Sequence, residues 1–185
     1  GEYYILHRAF SEGLEIKCQE VYDQLEKKWK DKIISFKKLF FEAREILREI
    51  DLEAWVNLRP VFDGVIEVMK ILNAQNRLYI ATLKDARSVK LILSKQDLII
   101  ADENLLDQSQ IKTKLQALDI FRTRVGCNQD EIVFIDDNVT HLLEPNRAGY
   151  TTYLTVWGNI MDEYIQIAQT HKINTLDTCY KLIDC

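Results

Sequence analysis

The feature that most constrains the fold is a short apolar run that leads directly into two carboxylates. Residues 131–138 read Glu-Ile-Val-Phe-Ile-Asp-Asp-Asn, so four apolar residues in succession precede Asp136 and Asp137. A run this short, bounded by polar residues, is typical of a strand buried on both faces inside a parallel sheet. Open α/β sheets bind their ligands at the carboxyl ends of such strands. The sequence therefore predicts a buried strand that ends in two acids at a ligand-binding edge.

Two adjacent carboxylates repel each other, so they are best tolerated where a cation or hydrogen-bond donors compensate them. Mg²⁺ is a hard cation that prefers oxygen ligands, which makes Asp136 and Asp137 candidate metal ligands. The alternative is that Asp137 or Asn138 caps the next helix while Asp136 lies solvated beside it. The stretch alone leaves both interpretations open.

From Pro60 onward, apolar strand patterns alternate with helical ones. Asp63 is placed to cap a helix that begins at Gly64. The patterns predict strands at 78–82, 98–101, near 132 and 150–156, and further helices at 86–94, 114–125, 139–147 and from 160. Such alternation with short connections predicts an α/β fold, a Rossmann-like parallel sheet covered by helices, over residues 60–185.

The first sixty residues show helical periodicity only. Apolar residues spaced by three and four predict one long helix over 3–30 and a second over 31–50. No strand pattern interrupts them. Residues 1–59 are therefore predicted to form a helical hairpin in front of the α/β core.

Composition excludes several classes of protein. Hydrophobic residues make up 47% and charged residues 29% of the chain, as in ordinary globular proteins. The net charge of −5 argues against a nucleic-acid surface. No apolar run is long enough to cross a bilayer and no signal peptide is recognisable, so we expect a cytoplasmic protein without a membrane partner. The four cysteines form no CxxC pair, and we interpret them as free thiols.

Two further polar side chains are predicted at the same sheet edge as the acids. Thr82 ends the strand at 78–82, and Lys112 stands just before the helix at 114–125. Taken singly, a strand-end threonine usually bonds to nearby backbone and such a lysine is usually solvated. Together with Asp136 and Asp137 they form a cluster suited to a phosphoryl group with Mg²⁺, because phosphoryl transfer depends mainly on positioning and charge neutralisation.

In this combination the sequence resembles the haloacid dehalogenase superfamily of phosphohydrolases, over essentially the whole chain. Thr82 looks like the hydroxyl of the family's second motif and Lys112, at the usual distance from the acids, like the lysine of the third. Asp136-Asp137 looks like the fourth motif, and Arg147-Ala148-Gly149-Tyr150 matches the helix-to-strand exit that follows it. The hairpin over 3–50 is similar to the helical C1-type cap of phosphoglycolate phosphatase-like members.

The resemblance implies a Mg²⁺-dependent hydrolase that acts on a small phosphorylated metabolite, a phosphate monoester, through an aspartyl phosphate. It implies that Thr82 and Lys112 bind the phosphate and take part in catalysis, and that Asp137 and Asp136 hold the metal. His141 stands where many members have a second acid, and we interpret it as a helix-surface residue.

The family's first motif, a strand that ends in Asp-x-Asp and supplies the nucleophile, is absent from the sequence. In the family this strand is central, between those that here end at Thr82 and Asp136. Either it lies upstream of Gly1, or the protein is a catalytically inactive relative that binds through the same cleft. Unpaired buried backbone groups cost about 1–3 kcal/mol each, which favours an upstream strand. A receiver domain of two-component signalling is rejected because its acid pair precedes its Thr and Lys.

Overall fold

The computed structural model describes residues 2–58, 61–158 and 160–183. Contacts between Cα atoms divide the chain into two compact units, Gly1–Arg59 and Pro60–Cys185. The roles of cap for the first unit and of phosphohydrolase core for the second remain predictions.

In its described residues, 2–58, the first unit consists of helices and the segments that connect them, and contains no strand. Its helices are α1 (Glu2–Ser11), α2 (Gln19–Lys28), α3 (Lys30–Ile50) and α4 (Leu52–Asn57). Ile5, Ala9, Leu25, Trp29 and Ile33 form its buried core. The prediction of one continuous helix over 3–30 is wrong, because the chain leaves the helix after Ser11 and turns at Gly13 with φ +67°, a conformation that glycine adopts without strain.

The second unit alternates helices and strands. In chain order it contains α5 (Val65–Ala74), β1 (Ile80–Ala81), α6 (Ala86–Ser94), β2 (Leu105–Leu106), α7 (Lys114–Val125), β3 (Val133–Asp136), α8 (Val139–Arg147), β4 (Thr151–Thr155), α9 (Asp162–Thr170) and β5 (Asn174–Leu176). The predicted helices at 86–94, 114–125 and 139–147 are confirmed. The predicted cap of α5 is wrong, since Gly64 (φ +77°) and not Asp63 occupies the N-cap position.

All strand pairs in the described residues are parallel, which confirms a mixed α/β fold. They form two separate small sheets, however: β1 pairs with β2, and the second sheet has the order β3-β4-β5. Register pairs Ala81 with Leu106 and Asp136 with Leu154. The described strands therefore do not form a single continuous Rossmann-like sheet.

The strand predicted at 98–101 is wrong, and β2 lies a few residues later. Leu98 and Ile100 are buried while Ile99 is 82% exposed, which gives this segment the alternation of a half-buried strand. It pairs with no neighbour in the described sheets. The carbonyl of Ile99 instead accepts a hydrogen bond of 3.0 Å from the Asn73 side chain.

Strand β1 is covered on both faces by different apolar clusters. Ile80, with Leu78 before it, packs on a cluster built around Leu93, Leu98, Ile100 and Leu105. Ala81, with Tyr79, packs on a cluster built around Leu106, Ile111, Ala117 and Phe121. Side chains that alternate between two apolar clusters show that both faces of β1 are covered, as is typical of strands in parallel sheets.

Candidate functional site

Asp136 ends β3 with a side chain that is only 9% exposed. Three groups compensate the carboxylate. The backbone N–H of Asn138 donates to Oδ1 at 2.9 Å, His141 Nδ1 lies 3.1 and 3.2 Å from the two oxygens, and Lys114 Nζ lies 3.3 Å from Oδ2. Burying a carboxylate is tolerated when it is paired and hydrogen-bonded in this way. The alternative of a solvated Asp136 is therefore wrong.

Lys114 is the cation of the site. It is the first residue of α7, its side chain is 14% exposed, and its ammonium also donates to the carbonyl of Ala81 at 2.7 Å. Ala81 ends β1 and Asp136 ends β3, so one ammonium group joins the carboxyl ends of both strands. This contact places the two strand ends at a common edge.

Asp137 follows Asp136, and the residue taken as a whole is exposed to solvent. Its carboxyl group is nevertheless partly buried, and this burial is the main reason why the pKa of Asp137 is raised. The negative charge of Asp136 raises the pKa further, while His141 opposes the shift. A cation beside Asp136 and Asp137 would counteract this rise in pKa, because it favours the charged forms of both carboxylates.

Asn138 and His141 depend on the tight turn that follows β3. Asn138 is the N-cap of α8, and its side-chain oxygen accepts from the Thr140 backbone N–H at 3.0 Å. The capping role proposed for Asn138 is thus correct. The turn brings the first turn of α8 back over the strand end, so that His141 contacts Asp136. The interpretation of His141 as a plain helix-surface residue is wrong for this reason.

Thr82 directly follows β1, and its backbone N–H donates to the carbonyl of Leu106 at 2.9 Å. Its hydroxyl oxygen accepts from the Lys84 backbone N–H at 3.0 Å, which is the local contact typical of a threonine after a strand. The hydroxyl proton is not used in that bond. Thr82 therefore lies one residue from the Ala81 carbonyl at the edge that carries Asp136, with a donor to offer.

Lys112 has an exposed side chain, and its backbone N–H donates to the Gln116 side chain at 2.8 Å. Among the described residues no ion pair joins it to either acid. The lysine that the structure brings to Asp136 is Lys114, two residues later. A sequence signal for it exists: a lysine in the first turn of a helix opposes the helix dipole, and α7 has no acidic residue there to offset it.

A further acid at a strand end was also missed. Asp107 follows β2 and is buried; it accepts hydrogen bonds from the backbone of Ala86 at 2.8 Å and from the backbone and hydroxyl of Ser109 at 2.9 and 2.5 Å. These bonds, the one from the Ser109 hydroxyl first, lower the pKa of Asp107. Its contacts order the start of α6 and the loop after β2.

The fit to Mg²⁺ rests on two carboxylates. In the described part of the chain, no group of three or more His, Cys, Asp or Glu side chains is placed to hold a metal ion. Mg²⁺ commonly uses only one or two carboxylates, with waters and substrate phosphate as its other ligands. The oxygens of Asp136 already face Lys114 and His141, so Asp137 is the better candidate ligand and Asp136 an auxiliary one.

Comparisons with models of protein families, with curated proteins and with solved structures found no match. Within residues 2–58, 61–158 and 160–183, no helix combines the length and apolar character needed to cross a membrane.

Proposed function

We propose that the second unit carries a Mg²⁺-dependent phosphohydrolase centre of the haloacid dehalogenase type, acting on a small phosphate monoester. The observation that supports this best is the position of the Lys114 ammonium, 2.7 Å from the carbonyl that ends β1 and 3.3 Å from the carboxylate that ends β3. The ammonium of Lys114, the carboxylates of Asp136 and Asp137 and the hydroxyl of Thr82 then lie at one edge, at the carboxyl ends of β1 and β3. Stabilisation of a transferring phosphoryl group requires this set of groups.

Each side chain has a distinct part in the proposal. The Thr82 hydroxyl donates its proton to a phosphoryl oxygen. Lys114, in place of Lys112, neutralises charge on the same group and keeps Asp136 in position. His141 contacts both oxygens of Asp136 and helps to hold this carboxylate in place. The site thus orients a phosphoryl group before any bond changes.

Asp137, with Asp136 beside it, would hold Mg²⁺ through carboxylate oxygens. A bound magnesium ion neutralises the phosphoryl oxygens and acts as a Lewis acid. The raised pKa of Asp137 fits this role, because the two adjacent carboxylates coexist more easily beside a divalent cation.

The nucleophile must come from a strand that bears Asp-x-Asp, since the 185 residues contain no such sequence. In the proposed reaction its carboxylate attacks phosphorus, the phosphorus–ester oxygen bond breaks, and the leaving oxygen takes a proton. Water then cleaves the acyl phosphate and releases inorganic phosphate. The same lack of a nucleophile supports the second candidate, an inactive relative that binds a phosphorylated ligand.

The test compares this chain with a version extended by a strand that bears Asp-x-Asp, on a generic phosphate ester with and without chelator. We expect no turnover by the 185-residue chain and chelator-sensitive turnover by the extended one. Asp137→Asn in the extended chain should lower kcat far more than Lys112→Met, the matched surface control. Chelator-sensitive hydrolysis by the short chain would refute the nucleophile argument. A folded, inactive extended chain would favour the binding protein.

A further inference from the structure

One line of side chains along helix α3 alternates between cationic and apolar residues. Its members are spaced by four and three positions, so they share one face of the helix, and we call them the basic stripe: Lys30, Ile34, Lys37, Phe41 and Arg44. Ile34 and Phe41 are 59% and 56% exposed, and the two lysines are exposed as well. From the helical rise per residue, the stripe is about 21 Å long.

The cations of the stripe are not matched by acids. Among the described residues, no ion pair joins any of the three to a carboxylate. All four acids of α3 lie off the stripe, and two of them contact other basic residues: Glu42 lies 4.0 Å from Lys38, and Glu45 contacts Arg48. The stripe thus presents three positive charges on one face of a helix, in a chain whose net charge is −5.

Arg44 is held by aromatic rings. Its Cζ lies 5.8 Å from the centre of the Phe41 ring and 5.6 Å from that of Phe40, both within cation–π range. A guanidinium that packs on ring faces and pairs with no described carboxylate keeps its charge available for an external anion. The same contact holds the Phe41 ring beside the cation, so that charge and apolar surface are presented together.

The alternation of charge and apolar surface indicates the chemistry of the partner. The cations require an anionic surface, and Ile34 and Phe41 require an apolar layer directly beneath it. An anionic bilayer offers both, because its charged headgroups lie over the acyl chains. Long basic side chains can then extend to the headgroups while their apolar neighbours enter the boundary below. A nucleic acid offers phosphates to the lysines but no apolar partner for Ile34.

We propose that the basic stripe of the first unit binds the surface of an anionic lipid bilayer, with α3 lying along that surface. Ile34 and Phe41 enter the interface, and the three cations contact the headgroups. The negative charge of the rest of the chain opposes this contact little, since charges more than about 8 Å away are largely screened at physiological salt. The proposal replaces the expectation of a protein without a membrane partner, which concerned spanning segments. It does not use the phosphate site, so either proposal can fail alone.

The test measures how the folded 185-residue chain partitions into two kinds of vesicle, by co-sedimentation. One kind is pure phosphatidylcholine, and the other is three parts phosphatidylcholine to one part phosphatidylserine. We expect at least tenfold stronger partitioning into the anionic vesicles. Added salt should weaken it, because the headgroup contacts are screened.

A matched pair of double variants separates the stripe from ordinary surface charge. Lys30→Gln with Lys37→Gln removes two charges from the stripe, and Lys32→Gln with Lys38→Gln removes two charges that lie off it on the same helix. We expect the first variant to partition at least tenfold more weakly into anionic vesicles, and the second to change by less than threefold.

A second pair tests the apolar part of the contact. Ile34→Ser with Phe41→Ser should lower partitioning at least tenfold, whereas Leu39→Ser with Ile46→Ser, two exposed apolar residues on another side of α3, should change it by less than threefold. Circular dichroism checks that helix content is unchanged. Should a stripe variant unfold, NMR of the unmodified chain with a paramagnetic headgroup lipid decides the point, because the amides of Ile34 and Phe41 should relax faster than those of Leu39 and Ile46.

Equal partitioning into the two kinds of vesicle would overturn the proposal, because apolar adhesion alone explains it. Equal losses for the stripe variants and their controls would overturn it as well, since the contact would then not depend on this face. Stripe-dependent binding of a single-stranded oligonucleotide or of polyglutamate, without binding to anionic vesicles, would make a soluble polyanion the partner and would equally refute a lipid surface.

Discussion

Replacing Lys114 by Met removes the ammonium and keeps an apolar stem of similar length. The Lys114 and Asp136 side chains are only 14% and 9% exposed, so the change leaves a largely buried carboxylate without its cation. Breaking a buried pair by removing one partner typically costs about 3–5 kcal/mol. Asp136 retains His141 and the Asn138 amide, which reduces the loss. We expect the free energy of unfolding to fall by about 2–3 kcal/mol.

The assay is urea denaturation followed by circular dichroism, with the slope of the transition checked for constancy. Lys112→Met is the matched control, since it makes the same chemical change on an exposed side chain, and should alter stability by less than about 0.5 kcal/mol. In an Asp136→Asn background, Lys114→Met should cost about 1 kcal/mol less than in the parent protein, because the pair is already broken. Equal losses for the two lysine variants would refute the assignment of Lys114.

Three further outcomes follow from the site. His141→Ala should lower stability by about 1 kcal/mol in urea denaturation, since Asp136 loses a hydrogen-bond donor; an unchanged midpoint would count against the contact. The pKa of Asp137 is raised above its ordinary 3.8, so its contribution to stability is complete below pH 3.8 and is lost as pH rises through the raised pKa. Stability curves of Asp137→Asn should lack this decline. Asp107→Ala should cost about 1–3 kcal/mol and speed amide exchange at Ala86, whose buried N–H loses its acceptor.

The strand that ends in Asp136 was predictable because its signal is local. Four apolar residues bounded by charges fit only a short buried element, and β3 covers Val133–Asp136. The helices at 86–94, 114–125 and 139–147 were equally predictable from the sequence. Each begins after a residue whose side chain caps the helix, namely Asp85, Thr113 and Asn138.

Side-chain direction was not predictable to the same degree. Lys112 and Lys114 lie on either side of the N-cap of α7, and the correctly predicted start of this helix does not show which of the two side chains turns toward Asp136. Thr113 is that cap, so Lys114 enters the helix and turns inward while Lys112 stays outside in solvent. His141 was misjudged for a related reason, because the turn after β3 sets its direction.

A sequence pattern does not show whether the strands form one continuous sheet. Periodicity gives strand positions and faces but not which edges meet, so the gap between β1 and β3 became visible only in three dimensions. The segment 98–101 shows the opposite error, because burial of Leu98 and Ile100 produces a strand pattern without a pairing partner.

We propose that Thr82, Lys114 and Asp137 form one Mg²⁺-dependent phosphate site. The most direct measurement is an amide NMR titration of the folded 185-residue chain with inorganic phosphate, with and without MgCl₂. From this proposal we expect shifts that are confined to the amides around Thr82, Lys114 and Asn138, require Mg²⁺ and are lost in Asp137→Asn. Shifts elsewhere in the chain, or shifts at these amides that persist unchanged in Asp137→Asn, would contradict it.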